Sequence, residues 1–233
     1  MKDTAPDGAP ARSLFGRRRG RLLRPYQAGR LARLLPQLAL DLKAPPPAGL
    51  GALFAAPVEA IELEIGFGGG EHLRSRAHAH PQRGFLGCEP FVNGMAKLLA
   101  AIEADGLSNI RVHPGDVRDL LAWLPDACLS EVFLLYPDPW PKRRHWKRRL
   151  ITDATLAEMA RVMRSGAHLR FASDSADYMH WTLLRGLRCR LLEWTATSAD
   201  DWRRPWPQFF GTRYEQKARR EGRAPVYLVF RRL

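Results

Sequence analysis

The sequence predicts an α/β protein built on an open, mostly parallel sheet with helices on both faces. Three observations lead there. From residue 58 onward, short apolar runs alternate with segments whose apolar residues recur at helical intervals, the pattern of repeated strand–helix units. One run, Val132-Phe133-Leu134-Leu135, is apolar without a break and reads as a strand buried on both faces. Acidic residues and glycines collect just after the predicted strands, on the rim where sheets of this kind bind ligands.

Taken in order, residues 1–24 are rich in Ala, Pro, Gly and Arg and poor in large apolar groups. They are predicted to stay disordered, because they bury too little surface to offset ordering. Arg17, Arg18, Arg19, Arg21 and Arg24 make this a basic arm. Their tight clustering favours an arm lying on phosphates over a solvated tail. Residues 25–57 are predicted to be an N-terminal helix and linker. Leu31, Leu34, Leu35, Leu38 and Leu42 give a helical stripe over 27–42, interrupted by Pro36, and Pro45-Pro46-Pro47 starts a linker over 43–57. Residues 58–233 form the main domain. Its predicted strands are 58–65, 84–89, 109–113, 131–136, 167–172, 189–197 and 226–231. Its predicted helices are 71–80, 91–105, 117–123, 152–164 and 175–187, with Ser165-Gly166 read as the stop of the fourth.

The chain has 233 residues and a formal net charge of +13. A field of that sign attracts polyanions, either nucleic acid or an anionic membrane surface. Cys88, Cys128 and Cys189 are too scattered for a disulfide framework or a zinc knuckle, so no metal and a cytoplasmic setting are expected. No apolar run reaches the length of a membrane span, and no membrane is expected as a partner.

The rim residues carry the chemistry. The first strand runs into Gly66-Phe67-Gly68-Gly69-Gly70, a turn that lets backbone approach a ligand closely. A dinucleotide fingerprint needs glycine three places after Gly68, where Glu71 stands. An acid at a helix start disfavours a bound pyrophosphate. S-adenosylmethionine, which has no phosphate, suits the site better, with Glu64 placed to accept from its ammonium. Glu89 follows the second strand and suits the ribose hydroxyls. Asp116 follows the third and suits the adenine amino group, although a helix N-cap explains it equally well. Asp138 follows the fourth, held between Pro137 and Pro139, where no helix starts easily. Six cations then fall within residues 142–149, with His145 and Trp146 among them, a composition suited to holding RNA. Asp174 follows the fifth strand, either as a site residue or as a helix cap.

Together these motifs carry a family signature. Glu64-Ile65-Gly66-Phe67-Gly68-Gly69-Gly70, Gly87-Cys88-Glu89, Tyr136-Pro137-Asp138-Pro139-Trp140 with Lys142 and Arg148-Arg149, and Thr212-Arg213-Tyr214-Glu215 resemble the bacterial tRNA (guanine-N7-)-methyltransferase family from about residue 14 to the end. The resemblance implies a Rossmann-like class I methyltransferase fold, with strand order 3-2-1-4-5-7-6 and an antiparallel last strand. It implies methyl transfer from S-adenosylmethionine to N7 of guanosine 46 in the tRNA variable loop. By position in the family's motifs, Glu64, Gly66, Gly68, Gly70, Glu89, Asp116 and Asp138 would bind the cofactor, and Asp138 would also be catalytic. Lys142, Asp174, Thr212, Arg213, Tyr214 and Glu215 would bind the substrate. Tyr136 departs from the phenylalanine frequent at its position, and the resemblance does not extend to the stretch before Leu14. Two other readings stay open at this point: methylation of another RNA position, and a non-catalytic RNA-binding protein on the same fold. A monomer is the favoured expectation.

Overall fold

A computed structural model describes residues 15, 16 and 18–233. The expectations for residues 1–14 and for Arg17 lie outside the described residues. The strands are β1 (Ala60–Ile65), β2 (Arg83–Cys88), β3 (Ile110–His113), β4 (Leu129–Leu135), β5 (Met163–Ser173), β6 (Leu192–Trp194) and β7 (Val226–Arg232). They form one seven-stranded sheet in the order β3-β2-β1-β4-β5-β7-β6. β1 to β5 pair in parallel, and β7 runs antiparallel to both β5 and β6. The order implied by the resemblance is therefore the order observed. The helices are α1 (Pro25–Leu38), α2 (Glu71–Ala79), α3 (Val92–Asp105), α4 (Val117–Trp123), α5 (Asp153–Val162), α6 (Ala176–Arg188), α7 (Asp200–Arg203) and α8 (Arg213–Arg220).

The two-residue alternation of β1 sorts its side chains by face. Ile61, Leu63 and Ile65 enter the core shared with α4, α5 and α6. Glu62 and Glu64 face the other way and are buried. Burial of an acid requires partners. Arg76 Nε and Arg83 Nη1 donate to Glu62 at 2.7 and 2.6 Å, and Glu64 meets His72. β1 and β4 are neighbours, with β2 and β3 built outward on one side and β5 on the other. That reversal opens a crevice at the carboxyl ends of the strands.

α1 lays Leu31, Leu34, Leu35 and Leu38 against the core of α2 and α3, and Arg30 Nε donates to Glu103 of α3 at 2.7 Å. Pro36 sits inside its last turn rather than ending it. Past its end, Ala39 pairs with Val112 of β3 and Leu40 N–H donates to the Val112 carbonyl at 2.9 Å. The open edge of β3 is thereby covered. The linker 43–57 is packed rather than loose: it holds a 3-10 turn, Leu50–Leu53, and buries Leu50 and Phe54.

Three local expectations are corrected. Residues 18–24 are not a free arm: Val92 N–H donates to the Arg18 carbonyl at 3.0 Å, and Asn93 exchanges hydrogen bonds with the backbone of Gly20 and Arg21 at 2.7 Å each. Composition cannot foresee this, because the donor at Val92 is one of the free N–H groups of a helix start formed elsewhere. Ser165-Gly166 is a bulge inside β5 rather than a helix stop. From one pairing to the next, β4 advances from Leu129 to Glu131 while β5 advances from Met163 to His168, with Gly166 at φ +79°. The strand expected over 189–197 shrinks to three residues. α7, α8 and a second 3-10 turn, Arg143–Arg148, were not foreseen.

Candidate active site

The turn after β1 needs glycine. Gly66, Gly68 and Gly70 have φ of +71°, +57° and +80°, a region that costs other residues roughly 1–2 kcal/mol each. α3 also crosses it so closely that a Cβ on Gly94 would run into the Gly68 carbonyl. The turn aims Gly68 N–H at Glu89 Oε2, 2.7 Å away, while Phe91 N–H donates to Glu89 Oε1 at 2.9 Å. Burial pushes the Glu89 carboxyl above the usual carboxylate range. The two backbone donors oppose that, and the charges of Asp138 and Glu64 add to it.

Glu64 is 4% exposed and His72 1%. His72 Nδ1 lies 2.7 Å from Glu64 Oε2, and its Nε2 has no partner among the described residues. The ring packs among Phe133, Phe209 and Phe210. His72 holds Glu64 in place, and sequence reasoning missed it; its position eight residues after Glu64, at a helix start, was the only signal. Asp116 takes the capping role left open above. It caps α4 through Arg118 N–H at 2.9 Å and pairs with the Arg118 guanidinium.

Asp138 sits differently. The residues on either side of Pro137-Asp138-Pro139, Tyr136 and Trp140, have φ of +52° and +43°. Left-handed backbone at non-glycine residues costs about 1–3 kcal/mol each and concentrates at functional sites. Asp138 is solvent-accessible, yet surrounding protein still pushes its carboxyl above the ordinary aspartate range by desolvation alone. Among the described residues nothing donates to it, and Gly16 passes close to its Oδ2.

The expected substrate residues reach the rim at different places, Lys142 just past this turn and the 212–215 segment at the glycine turn. Lys142, Arg143, Arg144 and Lys147 are exposed, and Lys142 leads into the 3-10 turn. Thr212 caps α8, its hydroxyl accepting from Glu215 N–H at 3.1 Å. Tyr214 then lies over Gly68, and Arg213 donates to the Tyr214 hydroxyl at 3.0 Å. Glu215 is buried. Its Oε1 accepts from the Tyr227 hydroxyl at 2.7 Å and from Arg219 at 2.8 Å, while Oε2 faces Gly211. The 212–215 segment thus meets the glycine turn. Asp174 lies at the end of β5 in an ion pair with Arg223 at 3.1 Å, and Ser175, not Asp174, caps α6.

Two members of the basic run do not fit a phosphate track. Trp146 is half-buried and packs edge-on against Trp181, ring centroids 5.3 Å apart. Arg149 is 2% exposed.

The donor set fits S-adenosylmethionine. Three acids line the rim beside the glycine turn, and Glu71 begins α2 where a phosphate would otherwise sit. Comparisons agree. A family model described as "Putative methyltransferase" matches residues 59–228. Solved structures share the fold at low identity: the 16S rRNA methyltransferase KamB, at a TM-score of 0.55 and 18% identity, covers 76% of this chain and 89% of its own. A 16S rRNA (adenine(1408)-N(1))-methyltransferase from Catenulisporales acidiphilia follows at 0.52 and 18%, covering 83% and 92%. Among curated relatives, the tRNA (guanine-N(7)-)-methyltransferase of Nitrobacter hamburgensis is 56% identical over 94% of this chain and 86% of its own. That of Agrobacterium fabrum is 53% identical over 94% of each. With over half its residues identical along nearly its full length, the chain belongs to the tRNA (guanine-N(7)-)-methyltransferase family.

Proposed function

We propose that this chain transfers a methyl group from S-adenosylmethionine to N7 of guanosine 46 in the variable loop of tRNA, in the cytoplasm. The observation that carries the reading is Asp138. It is a carboxylate without a donor among the described residues, on a strained turn between the rim acids and an exposed basic run.

Bound S-adenosylmethionine supplies an electrophilic methyl group on a positively charged sulfur. Glu64, Glu89 and Asp116 hold its amino-acid, ribose and adenine parts, with Gly66, Gly68 and Gly70 allowing backbone contact. Guanine N7 carries an exposed lone pair, so no base has to remove a proton before attack. The main task of the protein is placement, which supplies up to about 7–11 kcal/mol in favourable cases. The purine becomes cationic as the methyl arrives, and the fixed charge of Asp138 stabilises it. Lys142, Arg143, Arg144 and Lys147 hold phosphates, while Asp174 and the Thr212-Arg213-Tyr214-Glu215 segment position the target nucleotide.

The test is 7-methylguanosine mapping in tRNA from cells with and without the protein, followed by assay of the purified chain on two tRNA transcripts. Methylation of the transcript with guanosine at position 46, and none when adenosine stands there, is expected. Methyl transfer at another nucleotide would overturn the position, and failure to bind S-adenosylmethionine would overturn the reading.

A further inference from the structure

We propose that Arg149 is a positioning residue for Asp138 and not a phosphate contact, so the basic run divides into an RNA-facing part and a buried clamp. The proposal rests on the reading of Asp138 as the residue that faces the target base.

The side chain of Arg149 is fully buried, a rare state for arginine unless it is paired. Its Nε donates to the Pro139 carbonyl at 2.9 Å, the residue next to Asp138. Its Nη2 donates to Asp177 in the first turn of α6. The rings of Trp146, Tyr178 and Trp181 surround the guanidinium at 5.1, 5.0 and 4.8 Å from their centroids. Such contacts favour a cation, more so once it is desolvated. The box is itself tied down: Trp181 Nε1 donates to the Ile151 carbonyl at 2.7 Å, and Ile151 N–H donates to the Tyr178 hydroxyl at 3.3 Å. With this geometry the guanidinium cannot reach a phosphate without dismantling the box.

The clamp has a clear mechanical purpose. Tyr136 and Trp140 hold unfavourable backbone, and such strain persists only where surrounding contacts over-determine it. Arg149 supplies one of those contacts at Pro139. By reaching Asp177 as well, it joins the turn after β4 to the helix after β5, so the turns bearing Asp138 and Asp174 are held in one arrangement. The planar fork of arginine makes both bonds at once, which the single ammonium of lysine does not.

The test uses the full chain with tRNA and S-adenosylmethionine. Arg149→Lys keeps the charge and loses the fork. Its turnover number is expected to fall tenfold or more, in line with the cost of small misplacements, while KM for tRNA stays within about twofold of wild type. The slope of log affinity against log salt is expected to stay the same, whereas Lys147→Gln reduces it by about one contact. Amide exchange at Tyr136 and position 149, whose N–H groups donate to the Ala172 and Trp146 carbonyls at 2.7 and 3.0 Å, is measured without substrate and is expected to speed up. Asp177→Asn, at a half-exposed position, is expected to reproduce part of both effects, and it carries the test if Arg149→Lys does not fold. A reduced salt slope in Arg149→Lys, or unchanged turnover and exchange in Asp177→Asn, would overturn the proposal. Because exchange needs no substrate, it separates the two readings. A wild-type chain without methylation activity sinks the functional reading, and unchanged exchange in the variants sinks the clamp.

Discussion

The two halves of the rim treat their acids in opposite ways. On the β1–β3 side every carboxylate is already served by the protein. Glu64 has His72, Glu89 has the amides of Gly68 and Phe91, and Asp116 has Arg118 and a helix start. On the β4 side, Asp138 has no donor among the described residues and sits between two left-handed residues. The first half is a preformed cradle, where fixed donors set each acid's direction before any ligand arrives. On the proposed reading, the second keeps its charge uncommitted, at a cost in backbone strain, for a partner whose positive charge appears only during reaction.

Three substitutions and one pH dependence break or sharpen that contrast, in falling order of effect. Asp138→Asn is expected to lower turnover by about 10²–10³-fold, with S-adenosylmethionine affinity by titration calorimetry little changed. Wild-type turnover would remove the contrast. Gly94→Ala strikes the cradle instead, since its methyl group collides with the Gly68 carbonyl. It is expected to weaken cofactor affinity strongly and to lower thermal stability, while affinity for tRNA alone, by filter binding, persists. His72→Phe preserves a ring among Phe133, Phe209 and Phe210 but leaves Glu64 without its partner. A roughly tenfold rise in KM for S-adenosylmethionine, with KM for tRNA unchanged, is the expected result.

The smallest effect is a pH dependence. The Asp138 carboxyl is raised in the folded chain by desolvation. A raised carboxyl gives stability that is fully present below its unfolded pKa of about 3.9 and is lost as pH rises through the folded value. Asp138→Asn should therefore melt slightly above wild type at pH 7 and level with it near pH 3. A variant less stable than wild type at pH 7 would show that the carboxylate is held by something the wild-type contacts do not reveal.

Much of this was legible in the sequence for a specific reason. Parallel strands buried on both faces leave apolar runs, and in this class of sheet the residues just past those runs are the rim. The positions of Glu89 and Asp138 followed from that rule, whereas Glu64 lies one residue inside the end of β1. Arg149 did not, because a buried arginine and an exposed one look the same within a basic run. Only the fold reveals that Trp146, Tyr178 and Trp181 converge on it. Ser165-Gly166 was misread because a helix stop and a strand bulge need the same left-handed glycine. α8 was missed because its surface is almost wholly charged. Its one buried carboxylate, Glu215, matters through Tyr227, twelve residues away.

The small pairing of Ala39 with β3 reaches into how the chain comes to fold. α1 is the first helix among the described residues, yet the ion-pair partner of its Arg30, Glu103, lies 73 residues later, and the edge strand that Ala39 covers is made later still. Until those parts exist, the apolar stripe of α1 has nothing to rest on, and isolated helices of its length are marginal in water. A segment made early is thus among the last to be seated, and a chain trimmed to begin at residue 58 would expose both the leucine seat and the bare strand edge. Such a chain is expected to aggregate rather than to behave as a smaller version of the same protein.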